Sequence, residues 1–120
     1  MTNTTNKSLK SDQNKLRFSL VPQNAILEVL KGFEYGANKY GAYNHTAGME
    51  HTRYTDAAFR HLNAYLRHED MDNEANVHHL ALVACNALMA LENILMNKGE
   101  DTRNPYYLKK EKLIKKPNNK

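Results

Sequence analysis

Residues 75–97, ANVHHLALVACNALMALENILMN, are the most apolar stretch of this 120-residue chain and decide its fold class. Leucine, alanine, valine and isoleucine occupy most of the circumference when the stretch is wound as a helix. A helix that is apolar on most sides must be covered by more than one neighbour. The stretch therefore predicts a central helix from about Ala75 to Asn97, ended by Gly99, in an all-α protein.

Two amphipathic helices are predicted before this stretch. The first begins at Pro22, and its apolar residues recur every three or four positions to about Lys39. Gly41 supplies a stop signal, and the aperiodic residues after it predict a loop. The second helix begins with Thr52 as N-cap and ends near His68. We therefore expect a compact, MazG-like bundle of three or more helices.

Charge is sorted along the chain, although its formal net charge is +4. Residues 1–16 carry three Lys and one Asp, and residues 98–120 carry eight basic and three acidic residues. The six basic and nine acidic residues between them suit a cation site better than a DNA-binding face. We expect a disordered polar N-terminus over 1–15, an all-α domain over 16–98 and a basic C-terminal tail over 99–120.

Several classes of protein are excluded by absent features. The chain has no apolar run long enough to span a membrane, and its start lacks the apolar stretch of a secretory signal, so we expect a cytoplasmic protein. Cys85, the only cysteine, cannot pair internally and is expected in the core. P-loop, GxSxG and HExxH motifs are absent.

Self-association is expected because three helices make a thin core. Small domains bury a low fraction of their surface, and the central helix needs cover on more than one side. We therefore expect a homodimer or homotetramer.

One set of polar residues surrounds the end of the first helix. Lys39 lies between Gly36 and Gly41, Tyr40 follows it, and Asn44 lies just beyond. A lysine at this position can bind a phosphate, and a tyrosine can stack on a base. The alternative is that Lys39 only complements the dipole of a glycine-terminated helix.

A second set lies on the two later helices. Asp56 and Arg60 are four residues apart and can form a surface ion pair, while His61 borders the apolar stripe. His79 and Asn86 are seven residues apart and share one face of the central helix, where buried polar groups need partners. On the pattern alone, a core histidine is the simpler explanation of His61.

Four carboxylates occur within six residues between the second and third helices: Glu69, Asp70, Asp72 and Glu74. Carboxylate oxygens suit Mg²⁺ or Mn²⁺, and the spacing of Glu69 and Asp72 lets both face one ion if the turn stays helical. The alternative is structural, because Asp72 can cap the next helix and Glu74 favours its N-terminal dipole. That alternative leaves Glu69 unexplained.

Several short motifs, in this order, resemble the N-terminal domain of phage dATP/dGTP diphosphohydrolases, a family related to MazG-like all-α nucleoside triphosphate pyrophosphohydrolases. The resemblance covers about residues 16–96. The motifs are LRFSLVP at 16–22, GA at 36–37, KYG at 39–41, Tyr54 with Ala57, RHL at 60–62, ED at 69–70, Asp72, Glu74, HLA at 79–81 and ACNAL at 84–88.

The resemblance implies metal-dependent hydrolysis of a purine deoxynucleoside triphosphate, dATP or dGTP, to monophosphate and pyrophosphate, in the service of phage nucleotide-pool remodelling. The implied cofactor is Mg²⁺ or Mn²⁺. The implied roles are catalysis by His61, His79 and Glu69, substrate binding by Lys39, Tyr40, Asn44, Arg60 and Asn86, and metal binding by Glu69, Asp70, Asp72 and Glu74.

Three positions depart from the family's pattern. Leu82 replaces an expected histidine, His45 replaces a tryptophan, and His68 replaces a glycine. If the missing histidine takes part in catalysis, the chain is a catalytically silent protein that binds or sequesters nucleotides. A further alternative is an accessory protein that binds nucleic acid weakly through its basic tail, where Tyr106 and Tyr107 lie among basic residues.

Overall fold

The computed structural model describes residues 8–108, and its architecture is mostly helical. The elements, in chain order, are α1 (Gln23–Tyr40), α2 (His51–Leu66), β1 (Met71–Asp72), β2 (Val77–His78) and α3 (His79–Leu95). Short 3-10 helices occur at Phe18–Leu20, Asn44–Ala47 and Pro105–Tyr107. The predicted all-α fold with three helices is confirmed, and the two-stranded hairpin is a minor addition.

The predicted tails are only partly covered by these residues. Residues 8–15 are exposed and form no helix or strand. The expected disorder of residues 1–7 and the basic segment 109–120 lie outside the described residues. Within the part that the structure covers, no helix has the length and apolarity that crossing a bilayer requires.

The core lies where α3 packs against α1 and the hairpin. Its buried residues are Val29, Val77, Ala81, Leu82 and Cys85. The Sγ atom of Cys85 donates to the carbonyl oxygen of Val29 at 3.3 Å. The prediction that this cysteine belongs to the core is confirmed.

The connection between α2 and α3 differs from the prediction of a helix starting near Ala75. β1 and β2 pair antiparallel, with Asp72 opposite Val77. The carboxylate of Asp72 accepts from the amide of Ala75 at 2.7 Å, and Asn76 has a positive φ of 56°. Asp and Asn favour such turns because their side chains bond nearby backbone and tolerate left-handed conformations. The turn therefore delays the start of α3 to His79, and Asp72 does not cap that helix.

Of the predicted helix boundaries at Gly41 and Thr52, the structure confirms the first and not the second. Gly41 ends α1 with φ of 100°, as predicted, and its amide donates to the carbonyl of Ala37 at 2.9 Å. The prediction of Thr52 as N-cap was wrong, because α2 begins at His51 with Glu50 before it. Thr52 instead contacts the hydroxyl of Thr102 at 2.5 Å.

Gly99 has a different role from the predicted helix stop. The helix α3 already ends at Leu95, and Gly99 has φ of 75°. A β-carbon at Gly99 would lie 2.2 Å from the carbonyl oxygen of Met49, so only glycine permits this approach. The amide of His51 donates to the carbonyl of Glu100 at 2.8 Å beside it. Residues 98–102 thus pack against the start of α2, and the domain boundary at residue 98 stays a prediction.

Candidate functional site

Two histidines meet where α2 and the start of α3 pack together. The Nδ1 atoms of His61 and His79 are 2.9 Å apart, although the residues are 18 positions apart in sequence. His61 lies in the second half of α2, and His79 is the first residue of α3. Antiparallel packing of the two helices across the hairpin therefore brings the two imidazoles together.

The pair lies in a partly desolvated environment. His79 is only 6% exposed, and its Nε2 has no hydrogen-bond partner among the described residues. Burial lowers the pKa of His61, and the neighbouring charge of His79 lowers it further, while Asp72 opposes both effects. The environment thus favours neutral His61, the protonation state in which imidazole binds metal ions.

Asp72 completes a cluster with the two histidines. His61, Asp72 and His79 each offer a ligand atom within 4.8 Å of the others. The hairpin holds the carboxylate there, because one oxygen accepts from the Ala75 amide. The amide of His79 donates to the carbonyl of Asp70 at 2.8 Å, which closes the base of the hairpin. We call these three residues the His61–Asp72–His79 cluster.

The donors of this cluster fit a divalent metal ion. Imidazole nitrogen and carboxylate oxygen are both common metal ligands in proteins. The ligand atoms of the three residues all lie within 4.8 Å of one another, close enough for one ion to contact all of them.

The run of four carboxylates is not gathered at one point. The chain between α2 and β1 is not helical, so the condition under which Glu69 and Asp72 would face one ion is not met. Glu69 and Asp70 are exposed. Glu74 accepts from Lys39 Nζ at 2.5 Å and from the Tyr35 hydroxyl. Among residues 8–108, only Asp72 of the four joins a compact group of three or more metal-type ligands.

Lys39 lies beside the hairpin that carries the cluster. Its hydrogen bond to Glu74 raises the pKa of the ammonium and lowers that of the carboxylate. The Nζ atom also lies 5.2 Å from the ring centroid of Tyr40, at the exposed end of α1. Glu74 is two residues beyond Asp72, so the chain limits the distance between their Cα atoms to about 7 Å. Lys39 is therefore tied to the turn of the hairpin that also carries Asp72.

The remaining predicted residues lie on separate elements. Arg60 is exposed and precedes His61 on α2, and Asn44 is exposed at the start of the second 3-10 helix. Asn86 lies on α3, where its side-chain amide donates to the carbonyl of Leu82 at 2.9 Å. The side chain of Leu82 is buried in the apolar core.

A buried polar residue near the C-terminal end of α3, Asn93, was not predicted from the sequence. Asn93 is 1% exposed, and its amide donates to the carbonyls of His45 at 3.2 Å and Met89 at 2.9 Å. It thereby anchors the loop before α2. The seven-residue spacing of His79 and Asn86 continues to Asn93, and this repeat is the signal that would have identified it.

Comparison with family models shows to which protein family the chain is related. Residues 5–103 match the model described as dATP/dGTP diphosphohydrolase, N-terminal. The chain belongs to this family. The match includes all three helices, the hairpin and the His61–Asp72–His79 cluster, and it confirms the resemblance seen in the sequence motifs. The name of the family denotes hydrolases of dATP and dGTP. Comparison with curated proteins and with solved structures found no match.

Proposed function

We propose that the protein hydrolyses dATP or dGTP to the monophosphate and pyrophosphate, with a divalent metal ion such as Mg²⁺ or Mn²⁺. The family match over residues 5–103 carries this proposal. The convergence of two imidazoles with the carboxylate of Asp72, on a hairpin whose turn also pairs with Lys39 through Glu74, supports it, because hydrolysis of a triphosphate needs cations and a means of activating water. The proposed setting is the cytoplasm of a phage-infected cell, where the reaction would remodel the nucleotide pool.

Substrate binding is proposed for Lys39, Tyr40, Asn44, Arg60 and Asn86. Lys39 and Arg60 would bind phosphate oxygens, because both carry positive charge at neutral pH. Lys39 would exchange Glu74 for a phosphate, since a lysine already paired with one anionic oxygen can pair with another. Tyr40 and Asn44 would contact the base or sugar.

Catalysis and metal binding are proposed for the histidines and carboxylates. Asp72 would hold the ion, with Glu69, Asp70 or Glu74 as further oxygen donors. A bound divalent ion neutralises phosphate charge and lowers the pKa of water. His61 and His79 would orient the ion and the attacking water, because their imidazoles meet beside Asp72, and Glu69 is proposed as the third catalytic residue.

The proposal is tested by incubating the protein with each of the four dNTPs and Mg²⁺ or Mn²⁺ and separating the products. Monophosphate and pyrophosphate from dATP or dGTP, with pyrimidine triphosphates spared, are expected. Intact triphosphate as product would indicate a triphosphohydrolase, and orthophosphate would indicate another nucleotidase. Either result would contradict the proposal.

Two lysines on α1 provide a matched pair of variants. Lys39→Ala should raise KM, because a phosphate contact is lost. Lys31→Ala on the same helix should leave KM unchanged, because no phosphate contact is proposed for Lys31, whose partner Glu28 lies on α1 and not on the hairpin. Equal effects of the two variants would argue against a role for Lys39 in binding substrate.

A silent nucleotide-binding protein is the second candidate, favoured by the buried leucine at position 82. Such a protein would bind dATP or dGTP tightly in the presence of metal and would form no product after long incubation. Failure to bind or cleave any nucleotide would exclude both candidates.

A further inference from the structure

We propose that His61, Asp72 and His79 form a binding site for one first-row transition-metal ion, such as Mn²⁺, Co²⁺ or Zn²⁺, that Mg²⁺ occupies poorly. The inference concerns the ion that the proposed function requires, and so it deepens that proposal. Its test, however, needs no nucleotide.

The spacing of the two imidazoles is the first observation. Metal–nitrogen bonds of imidazole are about 2.0 to 2.1 Å long, so two such ligands at right angles around one ion are about 2.9 Å apart. The Nδ1 atoms of His61 and His79 are 2.9 Å apart. The two histidines are therefore already placed as neighbouring ligands.

The third ligand is held by the hairpin. One oxygen of Asp72 accepts from the Ala75 amide at 2.7 Å, which leaves lone pairs on the carboxylate for an ion. This backbone contact also orients the ligand, as outer contacts do in metal sites. Asp72 reaches within 4.8 Å of both imidazoles, close enough for one ion to lie among all three.

The second ring nitrogen of His79, Nε2, points away from an ion held by Nδ1. A hydrogen bond between the two Nδ1 atoms gives one donor and one acceptor, so Nε2 of His79 stays unpaired in either tautomer. With 6% of the residue exposed, solvent does not compensate. An ion held by the two Nδ1 atoms leaves this nitrogen unpaired, so the proposed site rests on the spacing of its three ligand atoms and on the backbone contact of Asp72.

The donor set decides the class of ion. Mg²⁺ prefers six oxygen ligands and retains several waters, whereas imidazole suits zinc, iron, copper and nickel. Two imidazoles and one carboxylate also leave positions open for water or a phosphate oxygen. The affinity of the cluster should therefore be far lower for Mg²⁺ than for Mn²⁺. Co²⁺ and Zn²⁺ should both bind more tightly than Mn²⁺.

The test is titration of the full-length protein, without nucleotide, with Mg²⁺, Mn²⁺ and Zn²⁺ by calorimetry, and with Co²⁺ by visible absorption. We expect one strong site per chain for Zn²⁺ and Co²⁺ and much weaker binding of Mg²⁺. Equal affinity for Mg²⁺ and Zn²⁺ would overturn the proposal.

Two pairs of variants locate the ion. His61→Ala and Asp72→Asn should each weaken Zn²⁺ binding by more than about 100-fold, since even outer contacts are worth about 10- to 100-fold. The matched controls His78→Ala and Asp56→Asn change exposed residues that no proposal places at the ion, and they should bind like the parent.

The folding of the variants does not limit this test. His61 is only half-buried, and an asparagine at position 72 keeps an oxygen for the Ala75 amide, so circular dichroism should be that of the parent. Parental Zn²⁺ affinity in His61→Ala, or equal losses in Asp56→Asn and Asp72→Asn, would overturn the site.

Failure of this inference is distinguishable from failure of the proposed function. Zn²⁺ binding that depends on His61, in a protein without dNTP hydrolysis, would support the metal site and contradict the reaction. Mg²⁺-dependent hydrolysis that survives His61→Ala would support the reaction and overturn the cluster as its metal site.

Discussion

Gly32 on α1 faces Cys85 on α3 so closely that a β-carbon added at Gly32 would lie 2.6 Å from the Cys85 sulfur. The same β-carbon would lie 3.2 Å from a methyl group of Leu82. These separations are too short for ordinary packing, so the glycine sets how closely the two helices approach.

The overpacking in Gly32→Ala should therefore cost about 1 to 3 kcal/mol. The gain in helix propensity is about 1 kcal/mol, so stability should fall by up to about 2 kcal/mol. Gly36→Ala on the same helix is the control, because nothing lies within 4 Å of the added carbon, and it should melt no earlier than the parent. Thermal unfolding measures the stability of both variants. The double variant Gly32→Ala/Cys85→Ala should lose less stability than the two single variants added together.

The thiol of Cys85 should be nearly inert to alkylation in the native protein. Burial raises its pKa to about 11, and only the thiolate reacts. A raised thiol pKa keeps the neutral form through pH 9, so native alkylation should accelerate only as the pH approaches 11. At pH 8.5 the native rate should be on the order of 100-fold below that of the urea-unfolded chain, whose thiol has pKa of about 8.5. Equal rates of iodoacetamide labelling in the two states would contradict this prediction.

Asn93→Ala should loosen the loop that precedes α2. The substitution removes the side-chain hydrogen bonds to the carbonyls of His45 and Met89, which are worth about 0.5 to 1.5 kcal/mol each. Hydrogen exchange should then increase in residues 41–50. The exposed Asn63→Ala on α2 should change stability by less than about 0.5 kcal/mol. Unchanged exchange in the loop would mean that Asn93 does not anchor it.

Leu82→His should destabilise the protein instead of completing the site. The Leu82 side chain is 8% exposed and packs in the core with Val29 and Cys85, so an imidazole there would lack partners. We expect a loss of about 2 to 3 kcal/mol, against less than about 1.5 kcal/mol for the volume-conserving Leu82→Met. A gain of dNTP turnover at parental stability would show that position 82 serves the site.

Self-association is predicted from apolar side chains of α3 that neither α1 nor α2 covers. Between 46% and 68% of each is exposed: Leu80, Leu88, Leu91, Ile94 and Leu95. Light scattering should give two or four times the chain mass of 13.8 kDa. Leu91→Glu should shift the mass toward the monomer, because burying a charge opposes association, whereas Asn63→Asp on α2 should not. A stable monomer at micromolar concentration would exclude this prediction.

The sequence alone determined the three helices and the identity of several residues in the cluster. Helical periodicity is local information, so apolar residues every three or four positions located α1, α2 and most of α3. His61 and His79 stood out because they border or interrupt apolar helix faces, and Asp72 stood out as one of four neighbouring carboxylates. The burial of Cys85 also followed from its place in an apolar helical run.

Tertiary structure decided which of these polar residues meet. Four neighbouring carboxylates were equivalent in the sequence, yet the hairpin turns Asp72 toward the histidines and Glu74 toward Lys39 on α1. The 2.9 Å approach of His61 and His79 likewise depends on how α2 and α3 pack. Such contacts join residues far apart in sequence, and their partners are set by helix packing and turn geometry that no local pattern encodes.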